Sequence, residues 1–162
     1  MRSESDGKCY VDWFDVENAA LILAKRLQAH NYQPKRILAV ARGGLIPATM
    51  LSHILGIRQV FSIQLESYSG EAQEFQGQLS PSHWETFEFT QDLVNSVDTL
   101  IVDDLFDTGK THEFLRENYP EAVTCCLFYK EHEHGQHSQR IVSFPGSPLP
   151  NQWIVFPWER LG

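Results

Sequence analysis

The stretch Thr99-Leu-Ile-Val-Asp-Asp-Leu-Phe-Asp-Thr-Gly-Lys-Thr111 decides the fold of this chain. An apolar run ends in the paired carboxylates Asp103 and Asp104, and Asp107 then leads into a Thr/Gly/Lys turn that can open a helix. Open α/β sheets bind ligands at the carboxyl ends of their strands, and the free N–H groups at a helix start favour a phosphate. Carboxylates suit sugar hydroxyls and a metal ion. The stretch therefore predicts a site for a phosphorylated sugar.

Strands and helices alternate on both sides of this stretch. The alternation predicts an α/β fold with a mainly parallel central sheet flanked by helices. A length of 162 residues suits one domain, 1–162, with one sizeable core. Helices are predicted over 14–30, 45–55 and 111–118, and strands over 36–41, 60–65, 99–103, 122–129 and 140–144.

Two regions lack this regular pattern. Residues 66–95 are acidic, rich in Gln, Ser and Gly, and contain no Lys or Arg. So long an irregular stretch predicts a mobile loop beside a functional site, with a short alternating strand over 86–90. In the last part of the chain, three prolines at 145, 148 and 150 predict an irregular tail.

Composition and charge exclude several classes of protein. The net charge of −8 argues against a nucleic-acid binder, which needs a basic face. No apolar stretch approaches the length of a membrane span. Three cysteines and an N-terminal segment without an apolar core predict a cytoplasmic protein without disulfides. The histidines of Glu131-His-Glu-His-Gly-Gln-His137 lack the spacing of a helical zinc site, so a solvated loop is the favoured interpretation.

A second glycine-containing turn, Ala41-Arg-Gly-Gly44, follows the predicted strand 36–41. Backbone N–H groups and an arginine fork together can bind an anion. The same residues would also serve an ordinary turn from strand to helix. Because parallel strands end at one edge of their sheet, the two turns together suggest a ligand with phosphates at both ends.

Three segments resemble a known family. The stretch Val102–Thr111 resembles the phosphoribosyl pyrophosphate signature of the type I phosphoribosyltransferases, and Val40-Ala-Arg-Gly-Gly-Leu-Ile-Pro47 resembles their pyrophosphate loop. Trp153-Ile-Val-Phe-Pro-Trp-Glu159 resembles the tail of the bacterial and archaeal xanthine–guanine enzymes. The resemblance implies the type I fold, with a mobile loop in 66–95 and a base-binding hood in 140–162. It also implies purine salvage: transfer of the 5-phosphoribosyl group from phosphoribosyl pyrophosphate (PRPP) to guanine, xanthine or hypoxanthine.

The resemblance assigns the PRPP contacts residue by residue. Asp103 and Asp104 would meet the ribose hydroxyls, with Asp104 nearest a Mg²⁺ cofactor. The peptide bond before Arg42 would be cis. The remaining contacts would come from Arg42, Gly43 and Gly44 to the pyrophosphate, and from Thr108, Gly109, Lys110 and Thr111 to the 5-phosphate.

The resemblance also assigns the purine contacts. Asp107 would be the general base, Lys130 would donate to the 6-oxo group, and Trp153 would stack on the ring. The Ile154 carbonyl would accept from the amino group of guanine, and Glu159 would line the same pocket. Each residue also has an ordinary structural explanation. Asp107 could be a helix cap, Lys130 a solvated charge at a strand end, and Trp153 a core residue.

Two alternatives stay open at this point. A regulatory protein of the same fold could bind PRPP or a nucleotide without turnover, since 66–95 carries no basic group to cover a pyrophosphate. An enzyme of the same family for a different base is the other alternative. The family also implies a homo-oligomer, either a dimer or a tetramer.

Overall fold

The computed structural model of the chain describes residues 2–3, 5–67, 79–82, 88, 91, 93–130 and 143–161. Most of the predicted strand 86–90 and the histidine segment 131–137 lie outside these residues. No helix in the described ranges combines the length and apolar character needed to cross a membrane. The elements in chain order are β1 Arg2–Ser3, β2 Lys8–Tyr10, α1 Trp13–Ala29, β3 Arg36–Ala41, α2 Leu45–Leu55, β4 Gln59–Ser67, β5 Leu79–Pro81, β6 Thr99–Phe106, α3 Lys110–Asn118, β7 Val123–Lys130, β8 Phe144–Leu149, β9 Trp153–Val155 and a 3₁₀ turn Pro157–Leu161.

A six-stranded sheet in the order β5-β4-β3-β6-β7-β8 forms the centre of the molecule. Its five longer strands run parallel, and β5 pairs antiparallel to β4. Helices α1 and α2 cover one face, where Ile37 and Ala39 of β3 are buried. Leu38 and Val40 are buried on the opposite face, against α3. Burial on both faces explains why β3 is an uninterrupted apolar run, and the predicted α/β class is confirmed.

Three boundaries differ from the prediction. Strand β6 continues through the acids to Phe106, because its pairing with β7 extends that far. The last strand of the sheet is β8, Phe144–Leu149, in a segment predicted to be irregular. Its two prolines are tolerated because β8 is an edge strand, which has one free side. Part of the predicted loop 66–95 is ordered, since the end of β4 pairs with β5.

A second, three-stranded sheet in the order β1-β2-β9 was not predicted. It joins the two ends of the chain, because β2 runs parallel to β9 with Cys9 opposite Ile154. Both side chains are buried in a small core with Leu127 and Phe156. Arg160 donates to the Val11 carbonyl at 2.6 Å and lies over the Tyr10 ring. The tail at 153–161 is therefore held by the N-terminal strand rather than standing alone.

Candidate active site

The candidate site lies where three neighbouring parallel strands end. Strands β3, β6 and β7 are adjacent, so Arg42, the acids of β6 and Lys130 reach one edge of the sheet. The chain leaves β3 for β4 on one side and leaves β6 for β7 on the other side. Ligand crevices of open α/β sheets form at such a reversal of strand order.

Asp103 and Asp104 lie at the centre of this edge. Asp103 is buried, and its carboxylate accepts a hydrogen bond from the Asp104 backbone N–H at 3.0 Å. Burial raises the pKa of Asp103 well above its usual value, and the neighbouring Asp104 charge adds to the shift. Burial also raises the pKa of Asp104, with a smaller contribution from the Glu159 charge. Two crowded acids with raised pKa values favour an incoming hydroxyl donor or cation.

The turn Ala41–Gly44 packs directly against these acids. The Ala41–Arg42 peptide bond is cis, as expected. A Cβ atom added at Gly43 would lie 1.9 Å from Asp104 Oδ2, and one added at Gly44 would lie 2.5 Å from the Val102 carbonyl oxygen. A side chain at position 44 would meet backbone, and one at position 43 would displace the Asp104 carboxylate, so both glycines favour the close approach to β6.

The second turn presents a helix start. Gly109 is the N-cap of α3 with φ of +88°, a conformation that favours glycine. Helix α3 begins at Lys110, and its N-cap Gly109 makes no side-chain hydrogen bond to the first turn. The N-cap is therefore Gly109 and not Asp107, so a purely structural role as a helix cap does not explain Asp107. Thr108 and Lys110 are exposed beside the uncapped N–H groups, in the arrangement that binds anions.

Asp107 and Lys130 form an ion pair across the ends of β6 and β7. The Lys130 Nζ atom lies 2.9 Å from Asp107 Oδ1. The Lys130 side chain is 12% exposed and that of Asp107 is 47% exposed, so the lysine is largely buried and the acid is half open to solvent. A donor and an acceptor side by side can address two neighbouring polar atoms of a ring system.

The C-terminal tail contributes a flat ring and a backbone edge. Trp153 is 71% exposed, so the prediction that it is available for stacking is compatible with its position, and core packing is excluded. Ile154 is buried through its side chain in the small core. Strand β9 is the edge of its sheet, which leaves one side of its backbone without a strand partner among the described residues.

A cavity of about 680 Å³ lies between the end of the six-stranded sheet and the 3₁₀ turn of the tail, and Asp107, Lys130 and Trp153 are not among its lining residues. Arg42, Gly43 and Asp104 line it from the six-stranded sheet, and Trp158 and Glu159 line it from the tail. Leu45 and Ile46 of α2 complete the wall, and sequence reasoning missed them and Trp158 as lining residues. Nothing in the sequence indicated Leu45 and Ile46, since apolar residues in the first turn of a helix are ordinarily assigned to the core.

His112 is a further residue that the sequence did not single out. Its side chain is 1% exposed, and its Nδ1 atom lies 3.9 Å from Asp103 Oδ2. Burial lowers the pKa of His112 to about 4, so the ring is neutral at pH 7.

Comparison with known proteins identifies the class to which this fold and site belong. The family model of the phosphoribosyl transferase domain matches residues 15–160. The chain is 33% identical to the xanthine-guanine phosphoribosyltransferase of Idiomarina loihiensis, over 98% of this chain and 91% of the relative. It is 31% identical to the enzyme of the same name from Gluconobacter oxydans, over 92% and 83%.

A solved structure supports the same family assignment. The purine phosphoribosyltransferase of Pyrococcus horikoshii superposes with a TM-score of 0.69 at 31% identity, covering 94% of each chain. This chain therefore belongs to the phosphoribosyltransferase family, and the resemblance inferred from the three sequence segments is confirmed.

Proposed function

We propose that this protein is a purine salvage phosphoribosyltransferase. It transfers the 5-phosphoribosyl group of PRPP to guanine, xanthine or hypoxanthine and releases pyrophosphate. The observation that supports the proposal is the convergence of three neighbouring strand ends at one edge of the sheet. The Arg42 turn and Asp104 line one cavity there, and the Asp107–Lys130 ion pair joins the ends of β6 and β7. The names of the relatives and of the archaeal structure support a purine as the acceptor.

PRPP would occupy the half of the site on the six-stranded sheet. Its 5-phosphate would accept from the first turn of α3, at Thr108 to Thr111, where the N-cap Gly109 makes no side-chain hydrogen bond. Asp103 and Asp104 would accept from the ribose hydroxyls. Arg42, Gly43 and Gly44 would hold the pyrophosphate, since the tight approach of this turn brings it beside Asp104.

Magnesium fits the donor set of this half. No group of three or more candidate metal ligands occurs in the described parts of the chain, so the protein would supply Asp104 and the substrate oxygens would supply the rest. The raised pKa values of Asp103 and Asp104 mark a place where a cation would favour the ionised acids. Bound there, Mg²⁺ would neutralise part of the charge on the phosphates.

The purine would lie between the ion pair and the tail. Lys130 would donate to the 6-oxo group, the Ile154 carbonyl would accept from the ring edge, and Trp153 and Glu159 would complete the pocket. In the reaction, the bond from ribose carbon 1 to pyrophosphate breaks, and the bonding pair leaves with pyrophosphate. The purine nitrogen forms the new bond and loses its proton, which Asp107 would accept. The Lys130 ion pair supports this role, because it holds the Asp107 carboxylate in one position.

The experiment is a spectrophotometric assay with PRPP, Mg²⁺ and each of guanine, xanthine, hypoxanthine and adenine. We expect a nucleotide product from one or more oxopurines, and rejection of adenine. The 6-amino group of adenine would place a donor against the Lys130 donor. Adenine as the best substrate would contradict the assignment of Lys130.

A regulatory role is the second candidate. The absence of Lys and Arg between residues 66 and 95 favours it, because that stretch offers no cation to cover the pyrophosphate. Binding of PRPP or a nucleotide without turnover of any base would favour the regulator. Turnover of a base outside the four would favour an enzyme for a different acceptor. Assembly as a homo-oligomer and a cytoplasmic location remain predictions, which gel filtration and cell fractionation would test.

A further inference from the structure

Val11 holds both ends of the short segment through which the tail reaches the cavity. Its backbone N–H donates to the Val155 carbonyl at 3.0 Å, and its backbone carbonyl accepts from the Arg160 guanidinium at 2.6 Å. The residues between these two contacts include Trp158 and Glu159, which line the cavity. One residue of the N-terminal segment therefore fixes the chain on either side of this cavity wall.

The position of Val11 is itself well fixed. Its side chain is buried, and the next residue, Asp12, is the N-cap of α1 in a reciprocal pair of hydrogen bonds with Asp15. Trp13, the first residue of α1, contacts the cavity wall directly, because its ring centroid lies 5.9 Å from that of Trp158 at an interplanar angle of 55°. The start of α1 is thus a rigid support for the 3₁₀ turn of the tail.

The two contacts of Val11 differ in what maintains them. The contact with Val155 continues the pairing of β2 with β9, in which Cys9 lies opposite Ile154. The contact with Arg160 depends on one side chain, whose guanidinium lies 5.0 Å from the centre of the Tyr10 ring. A charged donor on a carbonyl and a cation over an aromatic ring are both strong versions of their kind. Loss of the arginine side chain would therefore release the 3₁₀ turn while β9 stays paired.

We propose that Arg160 is a positioning residue for the active site; the proposal rests on the function proposed above. Arg160 does not line the cavity, so it acts by holding Trp158 and Glu159 in the cavity that Arg42 and Asp104 also line. The ligand of this cavity is the pyrophosphate group of PRPP with its Mg²⁺. A wall that is ordered before binding costs no ordering entropy when the ligand arrives, whereas a released turn must be ordered by the ligand itself.

The first test is calorimetric titration with inorganic pyrophosphate in the presence of Mg²⁺. Arg160→Gln is expected to raise the dissociation constant about tenfold, the factor that corresponds to the loss of one hydrogen bond from a charged group. Arg160→Lys keeps a cation that can donate to the same carbonyl, and it should recover most of the affinity.

Arg26→Gln is the matched control. Arg26 likewise donates to backbone carbonyls, those of Pro145 at 2.7 Å and Gly146 at 3.1 Å, and none of these three residues lines the cavity. This variant should melt at a lower temperature and bind pyrophosphate as the unaltered protein does. An unchanged dissociation constant in Arg160→Gln, or an equal rise in Arg26→Gln, would overturn the proposal.

Circular dichroism reports the position of the turn without turnover. The electronic transitions of two indole rings as close as Trp13 and Trp158 couple and give a paired band in the far ultraviolet, and Trp13→Phe identifies that band by removing one ring. Arg160→Gln is expected to lose most of the band, Mg²⁺ with pyrophosphate to restore it, and Arg160→Lys to retain it. A full band in Arg160→Gln would show that the arginine does not position the turn, and would overturn the proposal.

The two proposals can fail separately, because neither measurement needs a purine. Loss of the band and weaker pyrophosphate binding in Arg160→Gln, with no nucleotide formed from any base by the unaltered protein, would sink the proposed function and support the role of Arg160. Nucleotide formation together with an unaffected Arg160→Gln variant would support the proposed function and reject the role of Arg160. Failure of the unaltered protein to bind pyrophosphate would reject both.

Discussion

The two halves of the site are built in opposite ways. The half assigned to PRPP uses buried side chains at the ends of parallel strands, with Asp103 only 7% exposed and Gly43 in contact with Asp104. The half assigned to the base uses the free edge of a three-stranded sheet and a tryptophan that is 71% exposed. The first half shares its packing with the core, whereas the second can be altered with little effect on the fold.

The difference predicts that substitutions in the two halves will have different effects on stability and activity. A change in the PRPP half that displaces the backbone of a core strand should affect stability and chemistry together. A change in the base half affects an edge, a half-exposed acid or an exposed ring, so it should affect catalysis or base binding with little loss of stability. The following predictions test that division, beginning with the largest effect.

Asp107→Asn is expected to have the largest effect on catalysis. The substitution keeps the shape and removes the proton acceptor, so kcat should fall roughly 10²–10⁴-fold, the usual contribution of a positioned base. The Asp107 side chain is half-exposed and does not cap α3, so the melting temperature and the dissociation constant for PRPP should change little. Single-turnover kinetics and calorimetry measure the two quantities. An unchanged rate would remove Asp107 from the mechanism.

Gly43→Ala and Gly146→Ala should separate function from stability. The Gly43 Cβ would meet the Asp104 carboxylate at 1.9 Å, and a side chain can move away, so PRPP affinity should fall by about tenfold or more with most stability retained. The Gly146 Cβ would meet the Leu127 carbonyl oxygen of the backbone at 1.8 Å, so that variant should lose stability instead. Calorimetry with PRPP and thermal unfolding report the two outcomes. An equal loss of stability in both variants would contradict the view that Gly43 serves the binding site and Gly146 serves the fold.

Trp153→Ala should alter base binding alone. Stacking of a base on an aromatic ring contributes about 1–3 kcal/mol, so KM for the purine should rise by roughly tenfold or more while KM for PRPP stays constant. Phe14→Ala is the matched control, because Phe14 is likewise 71% exposed but lies at the start of α1. Steady-state kinetics with both substrates varied gives both constants. A similar rise in the Phe14 variant would point to a general effect on the fold.

Asp103→Asn should have the mildest consequence of these substitutions, a modest gain in stability. Because burial raises the pKa of Asp103, the native protein binds more protons than the unfolded chain above pH of about 4, and stability falls as the pH rises from there. The amide carries no charge and can still accept from the Asp104 N–H. The ligand-free variant should therefore melt a few degrees higher at pH 7, with the gain shrinking towards pH 4. Thermal unfolding across that range measures it, and a variant that melts lower at pH 7 would contradict the burial argument.

Much of the six-stranded sheet could be predicted from the sequence because its strands are buried on both faces. Strand β3 and helix α2 match their predicted limits, since apolar runs and the Gly56 C-cap are local signals. Strand β8 could not be predicted, because its two prolines are acceptable only at the edge of a sheet. Strand β2 has three residues, too few for a periodic pattern, and it depends on β9 more than 140 positions away in the chain.

The sequence alone determined the fold class, the family and the acids and glycines of the PRPP half. These features can be recognised because strand ends and glycine turns have sequence patterns only a few residues long. Only the tertiary structure decided that Asp107 forms an ion pair with Lys130 and that Gly43 lies against the Asp104 side chain. It also decided that the Glu159 carboxylate accepts a hydrogen bond from the Phe156 N–H. The physical reason is that each of these contacts depends on how separate elements, or the two ends of a turn, meet in space. Residue order records which groups are present, and packing determines which of them face the same ligand.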